Sequence, residues 1–276
     1  MENVSVRGAE LSSMSLGQGP AVVMLHGLVI GNMASWFSSA ALPLSAKRKV
    51  VLYDQRGHGD SSFASSGYDL DTQAQDLQAV LTHHGIDQGP VDVVGHSMGA
   101  LIALHYTLQN PDRVRRLVLV DAPMPAREHV APSLMRVQTR EGLATWVEDE
   151  LSSARGLSGR RRERLQKRLV ALLFESTLRE DVYAMASESD TQLRDIKNPV
   201  LLIYGKQSPC LSAGEHLSRV LPQARLVTLD CGHYIPEEAP VELRALLDDF
   251  LALPVDTTVT PTKPESVIFE QMSGVV

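Results

Sequence analysis

The sequence predicts an α/β fold, with a mostly parallel eight-stranded sheet, helices on both faces and a helical cap inserted after the sixth strand. The first observation behind this prediction is that apolar runs alternate with helical patterns along the chain, as they do when helices cover a parallel sheet. The second is that the later runs are continuous in valine and leucine, which is typical of strands buried on both faces. With 276 residues, 43% of them apolar, the chain has enough material for a sizeable core.

Eight segments are predicted to be strands. The first two, NVSVR and ELSSMSL, alternate apolar and polar residues, as half-exposed antiparallel edge strands do. The other six are, in order, PAVVML, KVVLYD, VDVVG, RLVLVD, PVLLIY and ARLVTL. Helices are predicted over 70–84, 98–109, 212–220 and 238–252. Pro111 and Pro222 follow two of these helices, at points where a helix can no longer continue.

The stretch between the sixth and seventh predicted strands shows no strand pattern. Its segments LATWVEDEL and RLQKRLVALLF carry apolar residues at helical spacing, and helices inserted there would cover the carboxyl edge of the sheet. We predict a core over 1–121 and 199–253, a helical cap over 122–198 and a poorly ordered tail over 254–276, which is rich in threonine and proline. The basic run GRRRERLQKR is interpreted as a solvated helix face.

The composition excludes several kinds of partner. The net charge of −7 argues against nucleic acid, and no apolar run is long enough to span a bilayer. The first residues, MENVSVRGAEL, lack the basic and apolar regions of a signal peptide. Cys210 and Cys231 are the only cysteines, too few for a disulfide framework. We therefore predict a cytoplasmic protein, monomeric or homodimeric, with free thiols and no nucleic-acid or membrane partner.

The strongest chemical signal is the segment VDVVGHSMGALIALHY. A β-branched strand runs into GHSMG, whose central residue is Ser97, and an apolar helix follows at once. This is the G-x-S-x-G pattern in the strand–turn–helix setting that exposes a serine at the end of a strand. Small residues on both sides let the chain turn sharply, and the helix N-terminus favours negative charge that develops nearby. Ser97 is therefore the candidate nucleophile.

A glycine-containing loop after the third predicted strand, in AVVMLHGLVIGNMASW, is the candidate for half of an oxyanion hole. A loop in this place supplies one backbone N–H, here that of Leu28. The second N–H is that of Met98, the residue after the nucleophile.

Four other polar residues near these loops are interpreted as structural. His26 lies at the start of the loop that contains Leu28 and is expected to hold it by hydrogen bonds. In the following loop, YDQRGHGDSS, Asp54 and Arg56 are expected to satisfy backbone groups. His58 in the same loop is also expected to be structural rather than catalytic.

His233 is the candidate general base. In LVTLDCGHYIPEEAP it lies on the loop between the last long strand and a proline-bounded helix. Of the nine histidines, it alone has this placement on the C-terminal side of the nucleophile.

Taken together, these motifs resemble those of the α/β-hydrolase family. LHG, DxRGxG, GHSMG, LVLVDAP and a final GH followed by ExP occur in that order over residues 1–252. The resemblance implies an α/β-hydrolase fold with a Ser-His-Asp triad, and it implies neither a metal nor a cofactor. The motifs identify the fold specifically but say little about the substrate.

The residues alone leave the position of the triad acid open. Most such hydrolases hold it on the loop after PVLLIY, but that loop, GKQSPCLS, has no carboxylate. Asp121 closes the preceding strand, and Asp230 lies three residues before the candidate base. We prefer Asp121 because the end of its strand lies beside the same histidine, whereas Asp230 would have to curl back.

A narrower resemblance is to the YbfF-type small serine esterases. It rests on the spacing from the serine to LVLVDAP and on a later Gly-x-x-Ser-Pro loop. It implies that Asp121 is the acid and that Ser208 is a second partner of His233. The chain departs from this group at Cys210, where the group has an aromatic residue.

The predicted function is hydrolysis of a carboxylic ester or thioester with a medium-sized acyl group, through an acyl-enzyme. Trp146 and Phe174, in the predicted cap helices, are the expected substrate-pocket residues. The same scaffold also serves a cofactor-free dioxygenase of an N-heteroaromatic compound, a carbon–carbon hydrolase or polyketide-releasing cyclase, and a ligand receptor without turnover. Because specificity depends on cap packing, the sequence does not name the substrate.

Overall fold

The computed structural model describes residues 1–152, 159–252 and 265–266. Its sheet has nine strands in the order β1-β2-β4-β3-β5-β6-β7-β8-β9. In chain order they are β1 (Glu2–Val6), β2 (Ala9–Leu16), β3 (Ala21–Leu25), β4 (Lys49–Tyr53), β5 (Val91–His96), β6 (Val114–Val120), β7 (Val200–Gly205), β8 (Ala224–Leu229) and β9 (Glu265–Ser266).

The eight predicted strands are all present, which confirms the mostly parallel eight-stranded sheet. β1 pairs antiparallel with β2, and β2 with β4, whereas the later pairs are parallel. The two-residue strand β9 pairs with β8 and is an addition to the prediction. Apart from β9, the tail predicted over 254–276 lies outside the described residues.

The four predicted helices, over 70–84, 98–109, 212–220 and 238–252, are present as α3 (Leu70–His83), α4 (Met98–Gln109), α11 (Leu211–Val220) and α13 (Pro240–Ala252). None of the helices in the described part of the chain is both long enough and apolar enough to cross a membrane. Two π-helical segments, Phe37–Ala41 and Val147–Ser152, and the 3-10 turn Pro111–Arg113 accompany the α-helices. The α-helices are α1 (Met33–Trp36), α2 (Leu42–Leu44), α3 (Leu70–His83), α4 (Met98–Gln109), α5 (Ala126–His129), α6 (Pro132–Met135), α7 (Arg140–Trp146), α8 (Gly159–Phe174), α9 (Leu178–Ala184), α10 (Asp190–Asp195), α11 (Leu211–Val220), α12 (Ile235–Glu238) and α13 (Pro240–Ala252).

The sheet separates two apolar clusters, because successive side chains of a strand point to opposite faces. In β3, Val23 belongs to one cluster, whereas Val22 and Met24 belong to the other. β5 and β7 are buried along their whole length, as their unbroken apolar runs predict. β1 is the exposed antiparallel edge that the sequence predicts. For β2 the predicted alternation is wrong, because β2 lies between β1 and β4 and buries Ser12 and Ser13.

The segment between β6 and β7 is helical, as predicted. It contains α5 to α10, and none of its described residues is in a strand. In α8 the leucines are buried, and most of the basic residues are exposed, which confirms the solvated face. The division into a core over 1–121 and 199–253 and a cap over 122–198 remains a prediction.

The carboxyl ends of five parallel strands meet at one edge of the sheet, the edge at which open α/β sheets bind their ligands. The loops after β3, β5, β6, β7 and β8 carry the predicted site residues, in chain order Leu28, Ser97, Asp121, Ser208 and His233.

Candidate active site

Ser97 lies on a strained turn between β5 and α4. Its backbone has φ 53° and ψ −121°, a conformation that costs a non-glycine residue about 1–3 kcal/mol and is concentrated at functional sites. A Cβ atom on Gly95 would collide with the backbone of Gly99, and one on Gly99 would collide with the backbone of Leu25. The two flanking glycines are therefore required for the close crossing that presents the serine at the strand end.

Ser97, His233 and Asp121 form one chain of hydrogen bonds. The Ser97 Oγ atom lies 2.9 Å from His233 Nε2, and His233 Nδ1 lies 2.6 Å from Asp121 Oδ2. Because an ionised carboxylate only accepts hydrogen bonds, Nδ1 carries the proton that goes to Asp121. Nε2 is then free to accept the Ser97 hydroxyl proton. The geometry thus fixes the imidazole tautomer that a general base requires.

The Asp121 carboxylate is completely buried and has its oxygens occupied by donors. The backbone N–H of Gly205 donates to Oδ1 at 2.9 Å, and the Ser208 hydroxyl donates to Oδ2, the oxygen that also accepts from His233. Asp121 has φ 50°, a positive φ like that of Ser97, at the point where β6 ends. Three donors offset the cost of burying this charge.

The prediction that Ser208 bonds directly to His233 is wrong. Its hydroxyl donates to Asp121, and its oxygen accepts the backbone N–H of Cys210 at 3.1 Å. The physical reason is that His233 Nδ1 carries a proton and cannot accept a hydrogen bond, so the single Ser208 hydroxyl proton goes to the buried carboxylate. Ser208 therefore contacts the histidine's partner rather than the histidine.

Asp230, the other candidate acid, lies apart from His233. It is exposed, and its Oδ1 atom accepts a hydrogen bond of 2.6 Å from Gln207 Nε2. The geometry brings Asp121, and not Asp230, to the imidazole.

The two predicted oxyanion donors lie beside the serine. Met98 is the first residue of α4, where the backbone N–H has no partner within the helix, and Leu28 lines the same cavity as Ser97. In residues 1–152, 159–252 and 265–266, no protein group accepts a hydrogen bond from either N–H. Val29, with φ 72°, was missed by the sequence reasoning; it gives the loop its turn and also lines the cavity.

A cavity of about 460 Å³ opens above Ser97 and His233. Trp146 lines it, as expected for a pocket residue, and the Trp146 indole N–H donates to the Ser133 hydroxyl at 3.0 Å. Phe174 does not line this cavity, so its assignment to the pocket is wrong. Its ring lies 5.8 Å from the Arg140 guanidinium and 5.6 Å from that of Arg179. Its face of α8 packs within the inserted helices. The prediction failed because helical spacing shows that a face is buried but not which neighbour covers it.

The structural interpretation of the two loop histidines is confirmed. His26 Nε2 accepts the backbone N–H of Gln55 at 3.0 Å, and its Nδ1–H donates to the Gly27 carbonyl at 2.7 Å. Burial holds the pKa of His26 well below its ordinary range. His58 Nδ1–H donates to the Arg56 carbonyl at 3.0 Å, and burial lowers the pKa of His58 to about 4. Both rings are therefore neutral, and each holds its loop by hydrogen bonds to backbone groups.

Asp54 and Arg56 also satisfy backbone groups, as expected. Asp54 accepts the backbone N–H of Met33 at 2.7 Å and that of Asp60 at 2.8 Å. Arg56 donates to the Ser66 carbonyl at 2.9 Å. It also forms two hydrogen bonds of 2.8 Å to Asp76, a buried pair that holds the loop against α3.

Fold and geometry agree with the comparison to known families. A family model described as the alpha/beta hydrolase fold matches residues 20–240. The chain belongs to the alpha/beta hydrolase family. The hydrolase fold predicted from the motifs is thus confirmed.

Relatives within the alpha/beta hydrolase family cover most of the chain. It is 29% identical over 274 residues to the sn-1-specific diacylglycerol lipase ABHD11 of Mus musculus, with 91% of this chain and 88% of the relative covered. It is 30% identical over 253 residues to the 2-hydroxymuconate semialdehyde hydrolase of Pseudomonas putida, with 86% and 88% covered. The solved structure of the enol-lactonase from Burkholderia xenovorans LB400 has a TM-score of 0.75 at 22% identity, covers 91% of this chain and 100% of that chain, and shows the shared fold.

Two residues that contact His233 in this hydrolase were not predicted. His96 Nε2 lies 2.9 Å from the backbone carbonyl of His233 and holds that loop against the serine turn. The Cys210 Sγ atom lies 3.9 Å from His233 Nδ1. Burial raises the pKa of the Cys210 thiol to about 12, so it faces the imidazole as a neutral group. The available signals were the position of His96 next to the serine and that of Cys210 on the loop after β7, which meets the loop of His233.

Two clusters within the described residues offer several metal-ligand atoms within 4.8 Å of one another. One consists of Asp121, Cys210 and His233, and the other of Glu2, His83 and His84. In the first cluster, the protein's own hydrogen bond between His233 and Asp121 occupies the space between two of the ligand atoms. This arrangement suits proton transfer better than metal ligation.

Proposed function

We propose that this protein is a serine hydrolase that cleaves a carboxylic ester or a thioester through an acyl-enzyme intermediate. The observation that carries the proposal is the unbroken hydrogen-bond chain from Ser97 Oγ through His233 to the buried Asp121 carboxylate. That chain gives a serine hydroxyl a base, and gives the base a group that holds its tautomer.

In the proposed mechanism, Ser97 attacks the carbonyl carbon while His233 Nε2 removes the hydroxyl proton. Asp121 stabilises the imidazolium that forms, and the N–H groups of Leu28 and Met98 receive the oxyanion. His233 then gives its proton to the leaving group, which departs and leaves the acyl group on Ser97. A water molecule, deprotonated by His233, then attacks the acyl carbon, and His233 returns the proton to Ser97 Oγ as the acid leaves. Every step uses protein groups, so chelation with EDTA is expected to leave the rate unchanged.

Two observations support ester chemistry and the proposed assignment of the acid. The diacylglycerol lipase among the relatives is an ester hydrolase by name. The contact of Asp121 with His233 supports the YbfF-type placement of the acid after the sixth strand, whereas Ser208 bonds to the acid and not to the histidine. The free state of both cysteines in the described structure supports a cytoplasmic location.

A second candidate is hydrolysis of a carbon–carbon bond by the same three residues. The relative that favours it is the 2-hydroxymuconate semialdehyde hydrolase, at 30% identity over most of both chains. The two candidates differ in the bond that is broken.

The test is a panel of p-nitrophenyl esters and acyl-coenzyme A thioesters of increasing acyl length, assayed beside 2-hydroxymuconate semialdehyde. We expect saturable ester or thioester turnover with an optimum at medium chain length, and no turnover by Ser97→Ala above background. Turnover of the semialdehyde alone would replace the proposal with the second candidate. No turnover of any substrate by the native chain would overturn it.

A further inference from the structure

The cavity above Ser97 has carboxylates on two of its walls. Among the lining residues that the structure describes, Glu150 and Glu238 are acidic and none is a lysine or arginine. Glu150 belongs to the π-helical segment after α7, and Glu238 is the last residue of α12. One carboxylate thus comes from the inserted helices, and the other from the segment that follows the His233 loop.

Both glutamates are exposed, and Glu238 has a hydrogen bond to the loop of His233. The Glu238 Oε2 atom accepts the backbone N–H of Gly232 at 2.6 Å, in the same loop as His233. The other polar side chains of the lining are hydroxyls, the Cys210 thiol, the Trp146 indole and the imidazoles of His96, His129 and His233. A substrate anion in the described cavity therefore meets no permanent cation to pair with.

The size of the cavity makes these charges effective. A volume of about 460 Å³ equals that of a sphere about 10 Å across, close to the distance of about 8 Å over which salt screens charges at physiological ionic strength. A carboxylate in the part of this space that lies near a wall carboxylate is repelled by it and also loses part of its hydration.

From this arrangement we propose that the site takes acyl substrates without negative charge, and that Glu150 and Glu238 exclude carboxylate-bearing ones. The inference rests on the proposed ester hydrolysis and names the class of ester. Uncharged acyl groups bury apolar area against Leu28, Val130 and Trp146, whereas an acyl chain that ends in a carboxylate is repelled.

The test compares two esters of the same adipoyl chain, methyl p-nitrophenyl adipate and mono-p-nitrophenyl adipate, which differ in one methyl group and one charge. Release of p-nitrophenol is followed, and the rate with Ser97→Ala is subtracted as background. We expect kcat/KM of the native chain to be at least about tenfold higher for the uncharged ester, and this ratio to shrink as salt screens the wall carboxylates. Glu150→Gln and Glu238→Gln are each expected to lower the ratio by about threefold or more.

The matched control is Glu148→Gln, from the same π-helical segment. Glu148 is exposed, is not part of the cavity lining and pairs with Arg162, so its loss is expected to leave the ratio unchanged. Equal kcat/KM for the two esters in the native chain overturns the inference and leaves the ester hydrolase intact. A ratio that neither glutamate variant alters also overturns it. If neither ester is hydrolysed, the proposed function fails, and this inference fails with it.

Discussion

Asp121 illustrates at the scale of one residue how a buried charge can be held ready for catalysis. It accepts from Gly205, Ser208 and His233, and each donor has a fixed origin in the backbone or a neighbouring loop. An amide at this position keeps the shape but presents N–H groups to one of these donors. Nδ1 of the imidazole would then accept a hydrogen bond from the amide, and the imidazole proton would lie on Nε2, which could no longer accept the Ser97 proton.

We therefore expect Asp121→Asn to fold normally and to lose about 10²–10⁴ in kcat, as expected when the histidine is held in the wrong tautomer. Ser208→Ala removes one neutral donor to the carboxylate, worth about 0.5–1.5 kcal/mol, and is expected to lose about tenfold or less. The measurement is steady-state ester hydrolysis, with circular dichroism to check folding.

The matched control is Asp230→Asn, because Asp230 is exposed and bonds to Gln207. It is expected to retain nearly native kcat. The reverse order, an active Asp121→Asn with an inactive Asp230→Asn, would show that the acid assignment is wrong.

At the scale of secondary-structure elements, the inserted helices present one aromatic residue to the cavity and hold the other among themselves. Trp146 lines the cavity, whereas Phe174 lies beneath two arginines. Trp146→Ala is expected to shift the preferred acyl length upward, since it enlarges the cavity.

Phe174→Ala is expected to leave the acyl preference unchanged. It is expected to lower the free energy of unfolding by about 1–3 kcal/mol, because the residue is only partly buried.

Chain-length profiles of kcat/KM and urea denaturation of both variants make this comparison. An altered profile in Phe174→Ala together with a native profile in Trp146→Ala would reverse the assignment of the two aromatic residues.

His105 connects three elements in a pH-dependent way. On α4, its Nδ1 atom lies 2.9 Å from Glu188 Oε1, in the segment before α10, and its Nε2 atom lies 2.7 Å from Asp71 Oδ1 on α3. The hydrogen bond with Glu188, and then that with Asp71, raise the pKa of His105 above its ordinary value of 6.5, against an opposing effect of burial. The stabilisation is therefore fully present below pH 6.5 and is lost as the pH rises through the raised pKa.

We expect His105→Gln to lower Tm at pH 5.5 by about 2–4 °C, the shift that about 1 kcal/mol produces in a domain of this size. The difference from the native chain is expected to shrink toward pH 9, where His105 is neutral. Differential scanning fluorimetry at both pH values measures it. An equal difference at both values would mean that packing, and not the protonated imidazole, links these elements.

At the scale of the whole molecule, the sequence predicts the sheet and the turn that carries Ser97 well, because both depend on local patterns. Continuous valine and leucine runs require burial on both faces, and the glycines around Ser97 are required by a close crossing. The edge of the sheet then brings the five site loops together through topology alone. The sequence therefore predicts those features whose structure is determined by the residues of a single strand or a single turn.

The details that sequence reasoning missed depend on contacts between distant segments. Ser208 was placed against the wrong partner because the choice between a carboxylate and an imidazole depends on distances across three loops. Phe174 was misplaced because helical spacing shows that a face is buried but not what covers it. β9 was missed because two residues pair with β8 through backbone groups, which leave no side-chain pattern.

The central claim is that Ser97 is a nucleophile activated by His233, and one labelling experiment tests it directly. The folded chain is treated with a fluorophosphonate probe, digested, and analysed by tandem mass spectrometry to find the modified residue. The account predicts one adduct, on Ser97, that is absent from heat-denatured protein and from Ser97→Ala and is greatly slowed in His233→Ala. A folded chain that is not labelled, or an adduct that persists in Ser97→Ala, would contradict it.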